Sequence, residues 1–561
     1  MDKRKAGLFL GICALLMAFG SMLLSAKIQG SLDVDVQQVY FSGAKGAQMR
    51  ALLFRPAGAT ALHKAPAILA VHGYLNNAEI QANFATEFAR RGYVVLAPDQ
   101  RGHGGSDPTS FADGFGGPDA LAYLRSLPFV DRDNIGLEGH SMGGWAVLAA
   151  AKAYPDGYKS LVLEGSSVGA PFAPAGTRTF PRNLLVVFGT RDEFGGLMWG
   201  AEAPLRTGAT EKARTTFGTG TAPVVAGQLY GRIEEGTARK LLTPSVSHAW
   251  LHQSATGITP AIEWFGQTLR GGRTIPADRQ VWYWRETGNL LALIMIPLSI
   301  AGFLAAAGIA FARVGPLAND GIPTTTSGRD IALLAIVPAL LYIPACMAVE
   351  AMLGQNSLFR QTFSNQYAGW AFLCSLLSLA VLRRRHALVW TDGVARALGM
   401  ALLALIPAYL LIFAMDRLFH VNPSWWIVTI RPLTMDRARD FLVYAPFFIL
   451  SCATSLRLLD DIRPLMKGSL VSALGVAALA LSGGFVLFLA AQYGTLAATG
   501  QLLLPQQGLL VIPAINFAVL LLFVAILGVF SRRFTGSTLP GGIAAGLFLT
   551  WTLTATQPIG V

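Results

Sequence analysis

Charge is scarce in this chain. Asp, Glu, Lys and Arg make up 14% of its 561 residues, against roughly 25% in soluble globular proteins. With 53% hydrophobic residues, the chain is neither disordered nor a purely water-soluble enzyme, and much of it is expected in a lipid bilayer. Cysteine is scarcer: Cys13, Cys346, Cys374 and Cys452 each lie in an uncharged apolar run, and no C-x-x-C occurs. That excludes a disulfide-stapled domain and a zinc site of the usual spacing. No H-E-x-x-H is present either, so neither a metal nor a cofactor is expected. The chain also lacks a concentrated basic face. Its net charge of +12 is spread over all regions, half of it after residue 285 between apolar segments. With no nucleic-acid-binding motif beside that charge, nucleic acid is not an expected partner.

Long apolar runs are present. A basic start, residues 1–5, precedes 21 uncharged residues ending before Lys27. A bilayer core of about 30 Å needs about 20 helical residues, more than the short apolar region of a cleaved signal peptide. Residues 1–26 are therefore expected to be an uncleaved transmembrane anchor. Further uncharged stretches run over 287–312, 331–349, 361–382, 397–415, 441–456, 468–531 and 534–561. The sixth has a polar middle, residues 492–507, and reads as two spans. This gives a polytopic domain over 286–561 of about eight helices. With the N-terminus inside, the inner segments hold 14 Lys and Arg and the short outer ones 5. That bias sets orientation, so residues 27–285 are expected outside the cytoplasm, most simply of a bacterial plasma membrane. Trp282-Tyr283-Trp284 and Trp425-Trp426 are expected at the membrane–water interface. Glu350 and Asp416, near outer span ends, are expected to reach interfacial water. No repeat and no chain of carboxylates suggests a transporter.

Residues 27–285 read as a water-soluble α/β domain. Short β-rich runs at 67–71, 93–98, 135–138, 160–164 and 184–188 alternate with helical stretches such as 77–91 and 145–154. Alternation of this kind implies a mostly parallel sheet with helices on both faces, whose reactive groups gather at the carboxyl ends of strands. Gly139-His140-Ser141-Met142-Gly143 lies at one such end, followed by Gly144 and a helix. This is the G-x-S-x-G pattern in its strand–turn–helix context. Small flanking residues permit a sharp turn that lifts the Ser141 hydroxyl from the sheet.

On these residues the domain resembles the α/β-hydrolase superfamily over most of 35–270. The resemblance implies a nucleophile, acid, histidine order. Ser141 is then the nucleophile, Asp192 after the 184–188 strand the acid, with Glu193 as the alternative, and His248 in Ser247-His248-Ala249-Trp250 the base. His252 is assigned to packing or a surface contact. The resemblance also places the oxyanion hole at the backbone N–H groups of Tyr74 and Met142, with His72 and Gly73 forming the oxyanion loop. Asp99-Gln-Arg101-Gly-His103 is similar to a structural turn of the family, so Asp99 and Arg101 should hold loops, and His103 and His140 should pack.

Two departures matter. Asp192 and His248 are 56 positions apart, and the excess, 194–235, is expected to form a lid or a membrane-facing insertion. Only 19 residues separate Glu164 from Leu184, too few for a large cap. The expected function is a membrane-bound serine hydrolase acting on an acyl ester, lipidic or amphiphilic, with the bilayer and that ester as partners. An acyltransferase with the same acyl-enzyme, a serine peptidase, and a transporter or sensor with a merely binding outer domain remain open.

Overall fold

The computed structural model describes residues 3–311, 328–385 and 393–560. One nine-stranded sheet forms the first half: β1 (Val34–Ser42), β2 (Gln48–Pro56), β3 (Ala65–Val71), β4 (Val94–Pro98), β5 (Val130–His140), β6 (Ser160–Glu164), β7 (Leu184–Val187), β8 (Leu229–Tyr230) and β9 (Arg239–Leu242). The spatial order is β1-β2-β4-β3-β5-β6-β7-β9-β8. The six strands from β4 to β9 are parallel, and β1, β2 and β8 run antiparallel to their neighbours.

The central strands are apolar on both faces because both are covered. Ala67, Leu69 and Val71 of β3 join a core with helices α3 (Gly117–Ser126) and α4 (Met142–Ala153). Ile68 and Ala70 join another with α2 (Ala78–Arg90) and α7 (Ala255–Thr268). Alternate residues thus serve opposite layers. The five expected strands are all present. Among the described residues no helix lies between β6 and β7, so no cap stands there.

The region 194–235 folds into α5 (Gly195–Trp199), a 3-10 turn, α6 (Glu211–Phe217) and β8. Trp199 is buried and donates to the Ser166 carbonyl at 3.1 Å. Gln501 reaches the Glu202 carbonyl from the helical region. The segment therefore packs against the C-terminal helical region.

Among the described residues, eight helices are long and apolar enough to cross a membrane. They are α1 (Lys3–Gln29), α8 (Trp282–Phe311), α9 (Gly328–Leu353), α10 (Thr362–Arg384), α11 (Val394–Phe419), α12 (Met435–Ile462), α13 (Leu470–Thr499) and α14 (Gly508–Thr535). A ninth, α15 (Leu539–Thr554), has 16 residues and is buried among the others. α1 packs along α8 so closely that a Cβ on Gly302 would lie 2.4 Å from the Gly11 nitrogen. The uncharged stretch 468–531 is indeed two helices. The inner segments expected at 313–330 and 383–396 lie mostly outside the described residues.

Three expectations about the outer segments are corrected. α12 begins at Met435 rather than near 441, because its charges are paired: Asp440 accepts from Arg360 and Gln361 at 3.0 and 3.1 Å. Asp416 does not reach water. It is buried and accepts from Asn422 at 2.7 Å. Trp426 is 5% exposed and packs edge-on against Trp250, at 5.2 Å between rings. Residues 420–434, with the two-residue strands β10 (Ser424–Trp425) and β11 (Val428–Thr429), dock on the sheet domain instead of facing lipid.

That docking includes a buried polar network. Arg50, Glu79 and Asp99 are fully buried, and Arg431 joins them at 3.2 Å from Asp99. Burial alone would raise the Asp99 carboxyl, but Arg50 and Arg431 outweigh it and hold the group well below its usual range. Arg437 donates to the carbonyls of Gly102, Gly104, Thr554 and Gln557 at 2.7–3.2 Å. Arg285 reaches the Glu79 carbonyl and Asn83.

Candidate active site

β5 ends at His140, and α4 begins at Met142. Ser141 between them has φ 54° and ψ −122°, a conformation that costs a non-glycine residue about 1–3 kcal/mol and is kept only where the surroundings enforce it. Here a hydrogen bond from its N–H to the Glu164 carbonyl, 2.8 Å, fixes the turn to β6. Gly143 makes the turn possible, since a Cβ there would lie 2.0 Å from the Val71 carbonyl oxygen. Gly139 and Gly144 are as tightly enclosed.

The loop after β7 carries Asp192, and the loop after β9 carries His248. They meet: His248 Nδ1 lies 2.8 Å from Asp192 Oδ2, with both residues buried. Phe194 N–H donates to the other Asp192 oxygen at 2.9 Å. Burial pushes the imidazole down to about 4 although Glu193 works the other way. The ring is therefore neutral near pH 7, with its proton on Nδ1 facing Asp192 and Nε2 left as an acceptor. Ser141 and His248 line the same cavity of about 30 Å³, with Tyr74, Phe194, Ile427, Leu509 and Ile512.

Glu193 does not face the imidazole. Its Oε2 accepts from the His248 backbone N–H, and its Oε1 from the Tyr493 hydroxyl of α13, both at 2.8 Å. It ties the histidine loop to a helix of the C-terminal region.

Gly73 brings the loop after β3 against the elbow: a Cβ on it would lie 3.0 Å from the Ser141 Cβ. His72 accepts from Gln100 N–H at Nε2, 3.0 Å, so its Nδ1–H donates to the Gly73 carbonyl, 2.7 Å. It braces the loop, and burial lowers its basicity. His103 is buried beside His72 with its Nδ1 on the Arg101 carbonyl. His140 donates from Nε2 to the His248 carbonyl at 3.0 Å, and its ring touches those of His248 and His252. His252 is thus packed inside rather than on the surface. Asp99 accepts from the N–H groups of Ala78 and Gly105, and Arg101 pairs with Asp113. Both hold loops.

Sequence reasoning missed the residues that roof the site: Tyr493, Phe363 against Tyr74 at 5.7 Å, Ile427, Leu509 and Ile512. The only signal was the polar stretch starting at Gln492, read as a loop, whereas α13 continues to Thr499. Among the described residues no group of three or more His, Cys, Asp or Glu is placed to hold a metal.

The family described as alpha/beta hydrolase fold matches residues 66–192. That part of the chain has the α/β-hydrolase fold, and the match ends at Asp192, while the sheet continues to β9. A monoacylglycerol lipase of Mycolicibacterium smegmatis is 33% identical over 111 residues, covering 18% of this chain and 38% of the relative. The chain thus spans under two-fifths of that relative. Among solved structures, an esterase of Pyrococcus furiosus is 15% identical, with TM-score 0.31, covering 43% of this chain and 95% of the esterase. Acetyl xylan esterase 1 of a Thermoanaerobacterium species is 16% identical, with TM-score 0.29, covering 42% of this chain and 84% of the esterase.

Proposed function

We propose that the chain is a membrane-bound serine hydrolase that cleaves an acyl ester on the extracytoplasmic side. The observation that carries this reading is the His248–Asp192 contact of 2.8 Å beside a Ser141 held at a strained elbow in the same cavity. Ser141 Oγ attacks the acyl carbon while its proton passes to His248 Nε2. Asp192 stabilises the imidazolium so formed. The carbonyl oxygen, now negative, accepts from the N–H groups of Tyr74 and Met142, each such donor contributing about 2.7–4 kcal/mol. The C–O bond of the ester then breaks, and the leaving alcohol takes the proton from His248. Water, deprotonated by His248, attacks the acyl-enzyme, and the acid leaves as Ser141 recovers its proton. The excess of Lys and Arg on alternate loops supports the assigned side.

The test is labelling of the full chain, purified in detergent, by a small fluorophosphonate. Wild type should label, and Ser141→Ala and His248→Ala should not. Turnover of p-nitrophenyl butyrate should fall at least about 10⁴-fold in either variant. Undiminished labelling in a folded Ser141→Ala protein overturns the proposal.

A further inference from the structure

The catalytic cavity, about 30 Å³, is too small for a substrate, but two larger spaces flank it. One, about 570 Å³, lies between the histidine loop and the C-terminal helices. Its volume falls within the roughly 300–1,000 Å³ of small-molecule pockets. Leu290, Leu293 and Ile294 of α8, Leu496 and Ala497 of α13 and Val519 and Phe523 of α14 give it an apolar wall, and α14 packs against both α8 and α13. Polar groups are confined to a few positions, among them Arg191, Ser245 and Ser247 at the sheet-domain end and Tyr493.

This space approaches the triad through one layer of side chains. Ser247 and Trp250 line it, while His248 and Ala249 line the catalytic cavity. Trp426 and Val428 line it, while Ile427 between them lines the catalytic cavity. A small gap bordered by Ile427, Val428, Asn516 and Leu520 lies between the two spaces.

The second space, about 650 Å³, has a different character. It is bordered by Asp192, Glu193, Glu202, Gln501 and Gln506, and meets the catalytic cavity at Phe194 and Leu509.

We infer that the helical region, rather than the hydrolase domain, builds the acyl-binding site. The substrate is an amphiphilic lipid ester whose long acyl chain lies in the apolar space between α8, α13 and α14 and whose polar alcohol end lies in the space at Glu193 and Gln501. The inference rests on the serine-hydrolase reading above. An ester group with an apolar chain on one side and a polar group on the other fits a nucleophile placed between an apolar compartment and a more polar one. It also explains why a hydrolase domain with no cap between β6 and β7 is roofed by helices long and apolar enough to span a bilayer. Movement of Ile427 and Trp426 opens the chain's path to Ser141.

The deciding experiment uses the full chain in detergent and a hexadecyl fluorophosphonate carrying a diazirine near the chain terminus. After Ser141 is labelled, illumination and peptide mapping locate the chain end. Cross-links within 282–311, 470–499 or 508–535 are expected. Cross-links confined to 27–281 overturn the inference, and so does labelling by a short fluorophosphonate with none by the long one. In a second arm, Ala497→Trp and Val519→Trp fill the space, and p-nitrophenyl palmitate and butyrate are compared in mixed micelles. The palmitate-to-butyrate ratio of kcat/KM should fall about tenfold or more. Leu340→Trp, on an exposed face of α9, should leave that ratio within about twofold. An unchanged ratio in both cavity variants, with butyrate still hydrolysed, overturns the acyl site and leaves the hydrolase reading standing. Absence of Ser141 labelling by the short probe removes the hydrolase reading itself and the inference with it.

Discussion

Val94, Leu96 and Ile135 in the hydrolase domain are wholly buried, whereas Leu340, Leu410 and Val471 in the helical region are 69%, 59% and 78% exposed. Charged residues of both regions are buried where the two meet, as Arg50, Glu79 and Asp99 are. Charged side chains of the hydrolase domain's surface turns, such as Glu202 and Arg206, stand in solvent, while Arg431, Arg437 and Asp440 of the helical region are buried. Hydrophobic burial holds the first region together and continues into the second, since one apolar core takes in Val71, Met142 and Phe194 with Tyr342, Phe363 and Ile427. The joint adds to this ion pairs and arginine-to-carbonyl bonds that have little access to water, where an unpaired charge is expensive.

Breaking that joint should have the largest effect on stability. Arg437 feeds four carbonyls from both regions, and removing it takes a donor from each, with Gly102 left to the Ile559 N–H and Thr554 to Gln361. Arg437→Met is expected to cost about 3–5 kcal/mol. Arg439, two residues on, is exposed and donates once, to the Ser357 carbonyl. Arg439→Met should cost less than about 0.5 kcal/mol. Thermal unfolding of both proteins in the same detergent checks the pair. Equal losses would show that burial of the joint does not set its strength.

A smaller effect probes how the helical region supports the site. Tyr493 donates to Glu193, which accepts from the His248 N–H. Tyr493→Phe removes one hydrogen bond to a carboxylate, worth about 1.5–3 kcal/mol when buried, but leaves the Asp192–His248 contact untouched. The expected outcome is a roughly tenfold or larger loss in kcat with little change in KM. A loss in KM alone would mean that Tyr493 only shapes the adjoining space.

The two regions also differed in how far they could be read from sequence. The central parallel strands were legible because runs such as 67–71 are apolar at every position, as strands covered on both faces must be. β1, with the polar-interrupted sequence VDVQQVYFS, and β9, which opens Arg-Lys, were missed because edge position and late pairing do not demand apolar runs. In the helical region charge was taken to mark the ends of spans. That failed at Met435 and at Asp416, where charged groups are paired and buried instead of hydrated. The proposed triad was legible because the elbow motif and the chain order locate its members one by one. Tyr493 was not, because its partner lies 300 residues away and no local pattern marks a contact between separate domains. The roof over the site is tertiary structure alone.

The finest comparison is between the histidine's burial and its neighbouring charge. In the proposed mechanism the base is neutral His248, and burial lowers its pKa to about 4, so the acid limb of kcat/KM should lie well below the ordinary histidine value of about 6.5. Glu193 acts against burial, since a negative charge nearby favours the imidazolium and raises the pKa. Glu193→Gln should therefore move the limb to lower pH by a fraction of a unit, while its shorter supply of acceptors for the His248 N–H and Tyr493 lowers the plateau. Tyr493→Phe should act in a related direction. Without that hydroxyl the Glu193 carboxyl, already pushed up by burial and by Asp192, is protonated more readily and exerts less charge on His248. A limb shifted upward in Glu193→Gln would mean that the carboxyl's main influence is on solvent access to the ring rather than on its charge.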